Sequence, residues 1–173
     1  PFSHRFRMQA LRMIGKNLCA YVANRKNEAA AEAMLAGSLF AGIAFSHARL
    51  GDVHAMSHPV SACFNVAHGV ANAILLPVVA DYNALADQGK YYDIYRCVAK
   101  APVPREMFTP GMLGEQLRQL NTELGIPDCL KKVGVTDEFF DVMAEDAMKS
   151  GNIAVNPRTT TKPDIIELYH RAF

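Results

Sequence analysis

Apolar positions recur at helical intervals along nearly the whole chain. Leu11, Ile14, Leu18 and Tyr21 share one face, while Arg12, Lys16 and Asn17 lie on the other, which predicts an amphipathic helix. A second helix is predicted from about Asn27 to His47; its small residues Ala36, Gly37, Ala41 and Gly42 should admit close neighbours, offsetting the low helix propensity of glycine. Leu50-Gly51 is a break, followed by a histidine-bearing stretch from Asp52 to Asn65. A helix from near His68 to about Asn83 carries the apolar run Ala73 to Val79, with Pro77 implying a local irregularity. Tyr91 to Ala99 reads as a further helix, and Pro102 and Pro104 as a linker.

Punctuation sharpens in the second half. Thr109 and Pro110 suit a helix start, Leu113, Leu117, Leu120 and Leu124 form its stripe, and Gly125 and Pro127 end it. Thr136 can cap another helix, with Asp137 and Glu138 near its positive end and Phe140, Met143 and Ala147 facing inward. Gly151 and Asn152 close that helix. Thr161 and Asp164 form a capping arrangement ahead of Ile165, Leu168 and Tyr169. No repeat and no sustained strand alternation is present, so the expected fold is mainly α, a multi-helix bundle-like domain.

The 173 residues suffice for one domain with a sizeable core. Net charge is +1 with dispersed Lys and Arg, which argues against a nucleic-acid surface and gives no reason for electrostatic membrane binding. The apolar stretch Ala33 to Phe45 is interrupted by Gly and Ser and reads as too short for a bilayer span. Cys19, Cys63, Cys97 and Cys129 lack disulfide-framework spacing, so they are expected as reduced, mostly buried thiols in a cytoplasmic protein.

Chemistry concentrates between Leu50 and Asn83, which holds His54, His58 and His68. On a helix, His54 and His58 project from one face because they are four apart. A second helix beginning near His68 could bring that ring to the same point. Neutral imidazoles suit iron, zinc, nickel and copper, yet a bare H-x3-H is equally met by surface or core histidines. The residues alone leave both readings open.

The run LGDVHAMSHPVSACFNVAHGVANAILLPVVADYN resembles the signature of iron-containing (group III) alcohol dehydrogenases, LGxxHAMAHPLG followed by HGxxNAxLLPxVxxxN. The likeness extends through AGSLFAGIAF (36–45), LGIPDCLKKVGV (124–135) and the ending NPRTTTKPDIIELYHRAF (156–173). It implies the C-terminal helical metal- and substrate-binding domain of that family, over residues 1–173. It also implies His54 and His68 as metal ligands for Fe2+ or Zn2+, with His58 close to metal and nicotinamide in a catalytic or cofactor-contacting role. The family's other two ligands, in a D-x3-H motif, and its NAD- or NADP-binding N-terminal domain are expected ahead of Pro1. The chain opens with Pro1-Phe2-Ser3 and no Met, so the native start is expected to lie outside it.

The implied reaction is hydride transfer between NAD(P) and an alcohol, aldehyde or ketone of small size, by a full-length protein expected to be a homo-oligomer. This chain alone is expected to be inactive. Related members that act on glycerol or maleylacetate, and a non-catalytic helical module for structural or assembly work, are the alternatives. Val60-Ser61 stands where Leu-Gly is usual and His47 where Asn is common, departures that bear on packing or the substrate pocket. Asp52 is expected as a cap or a solvated carboxylate, and His4, His47 and His170 as surface or packing residues. Phe64 and Asn72 could equally line the pocket or serve packing and capping.

Overall fold

A computed structural model describes residues 2–173. It contains α1 (Phe2–Ala23), α2 (Glu28–Ala48), α3 (Asp52–Phe64), α4 (His68–Asn83), α5 (Lys90–Val98), α6 (Gly111–Glu123), α7 (Phe140–Met148) and α8 (Lys162–Arg171). Short 3-10 turns lie between several of them, and the described residues include no strand. The mainly α expectation is met. The chain forms two compact units, residues 1–49 with 89–109 and residues 50–88 with 110–173.

In the first unit α1 and α2 make a hairpin, and α5 packs on α1. Asn27 starts α2 by accepting the Ala30 amide at 3.0 Å, satisfying one of the helix's unbonded donors. Gly37 lets α2 approach α1, since a β-carbon there would lie 2.8 Å from Ile14 Cγ1. Gly42 has no neighbour within 4 Å, so the expected close packing of the small-residue run holds at Gly37 and not at Gly42. A tighter approach than at Gly37 involves Gly15, whose missing β-carbon would collide with the Cys97 carbonyl.

Leu35, Leu39 and Phe45 of α2 are exposed. The segment Ala33 to Phe45 belongs to a 21-residue helix, so its Gly and Ser interruptions do not shorten it as expected. By length and composition alone, this helix and the one over His68–Ala86 could each cross a membrane.

The second unit is built around an apolar core from α3, α4, α7 and α8, including Met56, Val60, Leu75, Met143, Ile165 and Leu168. The inward positions expected on α7 and α8 are buried as read from the sequence. Phe140 stacks on Tyr169 at 5.5 Å, and the Tyr169 hydroxyl donates to the Met56 carbonyl at 2.7 Å, tying α8 to α3. Burial raises the Tyr169 pKa, which keeps that hydroxyl a donor.

Pro77 lies inside α4 and has no N–H to offer the Ala73 carbonyl one turn earlier. Asn121 of α6 supplies the missing donor, its Nδ2 reaching Ala73 O at 2.6 Å. The irregularity expected at Pro77 is thus compensated by a neighbouring helix.

Capping follows the sequence at α8 and departs from it at α6 and ahead of α7. Thr161 and Asp164 form a reciprocal capping box on α8. Thr109 does not cap α6; Pro110 occupies the N-cap position and the helix starts at Gly111. Thr136 precedes a 3-10 turn over Asp137–Phe139, and its hydroxyl goes to Glu138 Oε1 instead of a helix-start amide. Neither start carries a side-chain cap hydrogen bond.

Candidate metal and substrate site

The three imidazoles of the histidine-rich stretch gather at one place. His54 and His58 project from α3, one turn apart, and His68 opens α4 after a left-handed Asn65 (φ 54°) ends α3. Ring centroids are 5.3 Å apart for His54 and His68, 5.2 Å for His58 and His68, and 6.3 Å for His54 and His58. The second helix brings His68 to the other two rings as expected from the sequence. His4, His47 and His170 are exposed; His4 pairs with Arg7, and His47 with the Ile43 carbonyl.

Each ring has a distinct setting. His54 is half-buried, and burial, reinforced by the imidazoles of His68 and His58, holds its pKa below the usual value. It is therefore neutral at neutral pH, with an electron pair to give. His68 is exposed, with Nδ1 3.4 Å from Ser57 Oγ and Nε2 3.0 Å from Asn72 Nδ2. The Ser57 hydroxyl donates to the His54 carbonyl at 3.3 Å, so it is free to accept the His68 Nδ1 proton. That order leaves Nε2 as the lone-pair nitrogen, and the Asn72 amide donates to it. His58 is exposed and stacks on His68 with 25° between the ring planes.

Could these groups hold a metal? Two imidazoles sharing one ion at about 2.1 Å and a near-tetrahedral angle have centroids about 5 Å apart, which matches the His54–His68 spacing. A histidine ligand ordinarily hands its second ring nitrogen to an outer partner, as His68 does to Ser57. These two residues fit a divalent cation. Among the described residues, no group of three or more His, Cys, Asp or Glu side chains is arranged to hold one. Two ligands are half of a typical set.

Ser57 was not singled out from the sequence; its position three residues after His54, on the same helical face, was the available signal. Asn72, for which pocket lining and capping were both open, contacts His68 directly. Asp52 departs from expectation. It is wholly buried, Gly51 occupies the N-cap position, and its Oδ2 accepts the Thr160 hydroxyl at 2.6 Å. Burial pushes the carboxyl up to about 6, opposed by that hydrogen bond and assisted by the charge of Asp164. A solvated carboxylate is ruled out by its zero exposure.

The described residues are all-helical, and two of the helices bring imidazoles together. The chain belongs to the Fe-containing alcohol dehydrogenase family: the family model for its C-terminal part matches residues 1–173. It is 38% identical over 174 residues to a 1,3-propanediol dehydrogenase of Citrobacter freundii, covering 100% of this chain and 45% of that protein. It is 40% identical over 174 residues to a lactaldehyde reductase of Escherichia coli (strain K12), covering 96% and 43%. The solved structure of an alcohol dehydrogenase from Oenococcus oeni matches with a TM-score of 0.94 at 34% identity, over 100% of this chain and 45% of that one. The chain thus spans somewhat under half the length of these relatives.

Proposed function

We propose that this chain is the helical metal- and substrate-binding part of an NAD(P)-dependent dehydrogenase that interconverts small alcohols with aldehydes or ketones. The observation that carries the reading is the convergence of His54 and His68 from separate helices at metal-sharing distance. Family membership and relatives named for propanediol and lactaldehyde support the substrate class. In this reading His54 and His68 hold a divalent cation, iron or zinc, together with ligands from the rest of the full-length polypeptide. When bound, such an ion supplies Lewis-acid polarisation, lowering the pKa of an alcohol or activating a carbonyl toward hydride.

The chain's own residues prepare that site. Burial keeps His54 neutral, so its electron pair is available at neutral pH. Ser57 orients the His68 ring by accepting a hydrogen bond from Nδ1, and Asn72 lies against Nε2. His58, exposed and stacked on His68, is placed to pass a proton between substrate and water. Nicotinamide binding belongs mainly to the part of the polypeptide beyond this chain. Cys63 is exposed and the other three thiols are half-buried, against the burial expected of them, and four free thiols accord with a cytoplasmic, reducing location.

The test is metal analysis and turnover in the full-length polypeptide. His54→Ala should abolish metal retention; His58→Ala should keep the metal and slow turnover by about 10²-fold or more. Equal metal loss in both variants would overturn this division of roles. Metal-free wild type without turnover would favour a non-catalytic helical module instead.

A further inference from the structure

We propose that the segment Asn156–Thr160 is a latch that sets the crossing of α3 and α4 and so positions His54 against His68. The inference rests on the proposed pairing of those two histidines and adds the residues that maintain it. The segment is tied to both helices by side chains outside the histidine cluster. Asn156 Oδ1 accepts from the Asp52 amide at 3.3 Å and from Asn83 Nδ2 at 3.0 Å, and its Nδ2 donates to Asn83 Oδ1 at 2.8 Å. One amide therefore joins the first residue of α3 to the last residue of α4.

Three further contacts tighten the same junction. The Thr160 hydroxyl donates to Asp52 Oδ2, the Tyr82 hydroxyl donates to the Thr159 carbonyl at 3.0 Å, and Arg158 Nη1 donates to the Tyr82 carbonyl at 2.8 Å. The Arg158 guanidinium also lies 3.8 Å from the Tyr82 ring centroid. Gly51 permits this approach, because a β-carbon there would sit 3.0 Å from Asn156 Oδ1.

Leverage turns these bonds into a positioning device. Asn83 stands at the opposite end of α4 from His68, about 22 Å along the axis. Rotating α4 by about 10° about its middle would move the His68 end by about 2 Å. The hydrogen bonds at the far end resist a rotation of that kind. Asp52 makes the device sensitive: its Oδ1 has no hydrogen-bond partner among the described residues, so Thr160 is the side-chain anchor for a buried carboxyl. Removing that hydroxyl leaves the start of α3, two residues before His54, with an unpaired buried group.

The test compares Thr160→Val, which removes the hydroxyl at nearly constant volume, with Thr160→Ser, which retains it, in the full-length polypeptide. The first readout needs no metal: nuclear Overhauser cross-peaks between the His54 and His68 rings in histidine-labelled protein. Thr160→Val should weaken them about fivefold for a displacement near 2 Å, and Thr160→Ser should preserve them. The second readout is Co2+ affinity with its visible absorption spectrum; Thr160→Val should lower affinity about tenfold and alter the spectrum, with recovery in Thr160→Ser.

Should Thr160→Val fail to fold, Tyr82→Phe, which deletes one bond to the segment, decides with an expected cross-peak loss of about twofold. Unchanged cross-peaks in a folded Thr160→Val, or in Tyr82→Phe where that variant decides, would overturn the latch. Altered cross-peaks with no Co2+ uptake by wild type would uphold the latch and sink the metal reading.

Discussion

The bond from Asn121 to the Ala73 carbonyl offers a quantitative test of how α4, the helix that carries His68, is held. Pro77 deprives Ala73 O of its intrahelical donor, and Asn121 Nδ2 replaces it at 2.6 Å. Asn121→Ala deletes a hydrogen bond whose net worth is about 1 kcal/mol and leaves a half-buried carbonyl short of a donor, so the expected loss is about 1–2 kcal/mol.

Pro77→Ala restores an N–H four residues after Ala73, and in that background the same Asn121→Ala change should cost about 1 kcal/mol less. The assay is urea unfolding followed by circular dichroism for the wild type, both single variants and the double variant. An Asn121→Ala cost that is equal in the two backgrounds would refute the claim that Asn121 stands in for the missing proline donor. A cost below about 0.3 kcal/mol in the wild-type background would do the same.

Other consequences are as direct. Gly15→Ala places a β-carbon against the Cys97 carbonyl, a backbone atom that cannot swing aside, and should destabilise the unit holding α1, α2 and α5 by about 2 kcal/mol; denaturant midpoints check this. Asp164 is held below the usual carboxylate range by hydrogen bonds from the Thr161 side chain and backbone. Its capping contribution is therefore present above the unfolded-state pKa and is lost as pH falls through the folded one. Asp164→Ala should cost about 0.5–1 kcal/mol at pH 7 and almost nothing once wild-type Asp164 is protonated, so equal costs at neutral and strongly acidic pH would contradict the capping box. The chain of 173 residues alone should bind Co2+ at least about a hundredfold more weakly than the full-length polypeptide, as measured by calorimetry, because it offers two imidazoles where a full set has more.

Much of the architecture was legible because the relevant signals are local. Helical periodicity at Phe140, Met143 and Ala147 identified a buried face, and Thr161 with Asp164 identified a helix start, since both depend on residues within one or two turns. Thr109 and Thr136 misled because helix starts shift by a residue or two: α6 begins at Gly111, and a 3-10 turn separates Thr136 from α7. The histidine cluster was legible from the four-residue spacing and the break at Asn65. Its supports were not. Asn121 to Ala73 spans 48 positions, Thr160 to Asp52 spans 108, and Tyr169 to Met56 spans 113. Such bonds exist only after the core has brought distant helices together, so Asp52 looked like an exposed carboxylate until its neighbours were known.

The central claim is that one divalent ion is shared by His54 and His68. An anomalous difference map of the full-length polypeptide, collected at the absorption edge of its bound metal, tests this most directly. One strong peak is expected about 2.1 Å from an imidazole nitrogen of each of these residues, with Asn72 turned away from His68. A peak that touches only one of the two rings, or that lies elsewhere in the molecule, would contradict it.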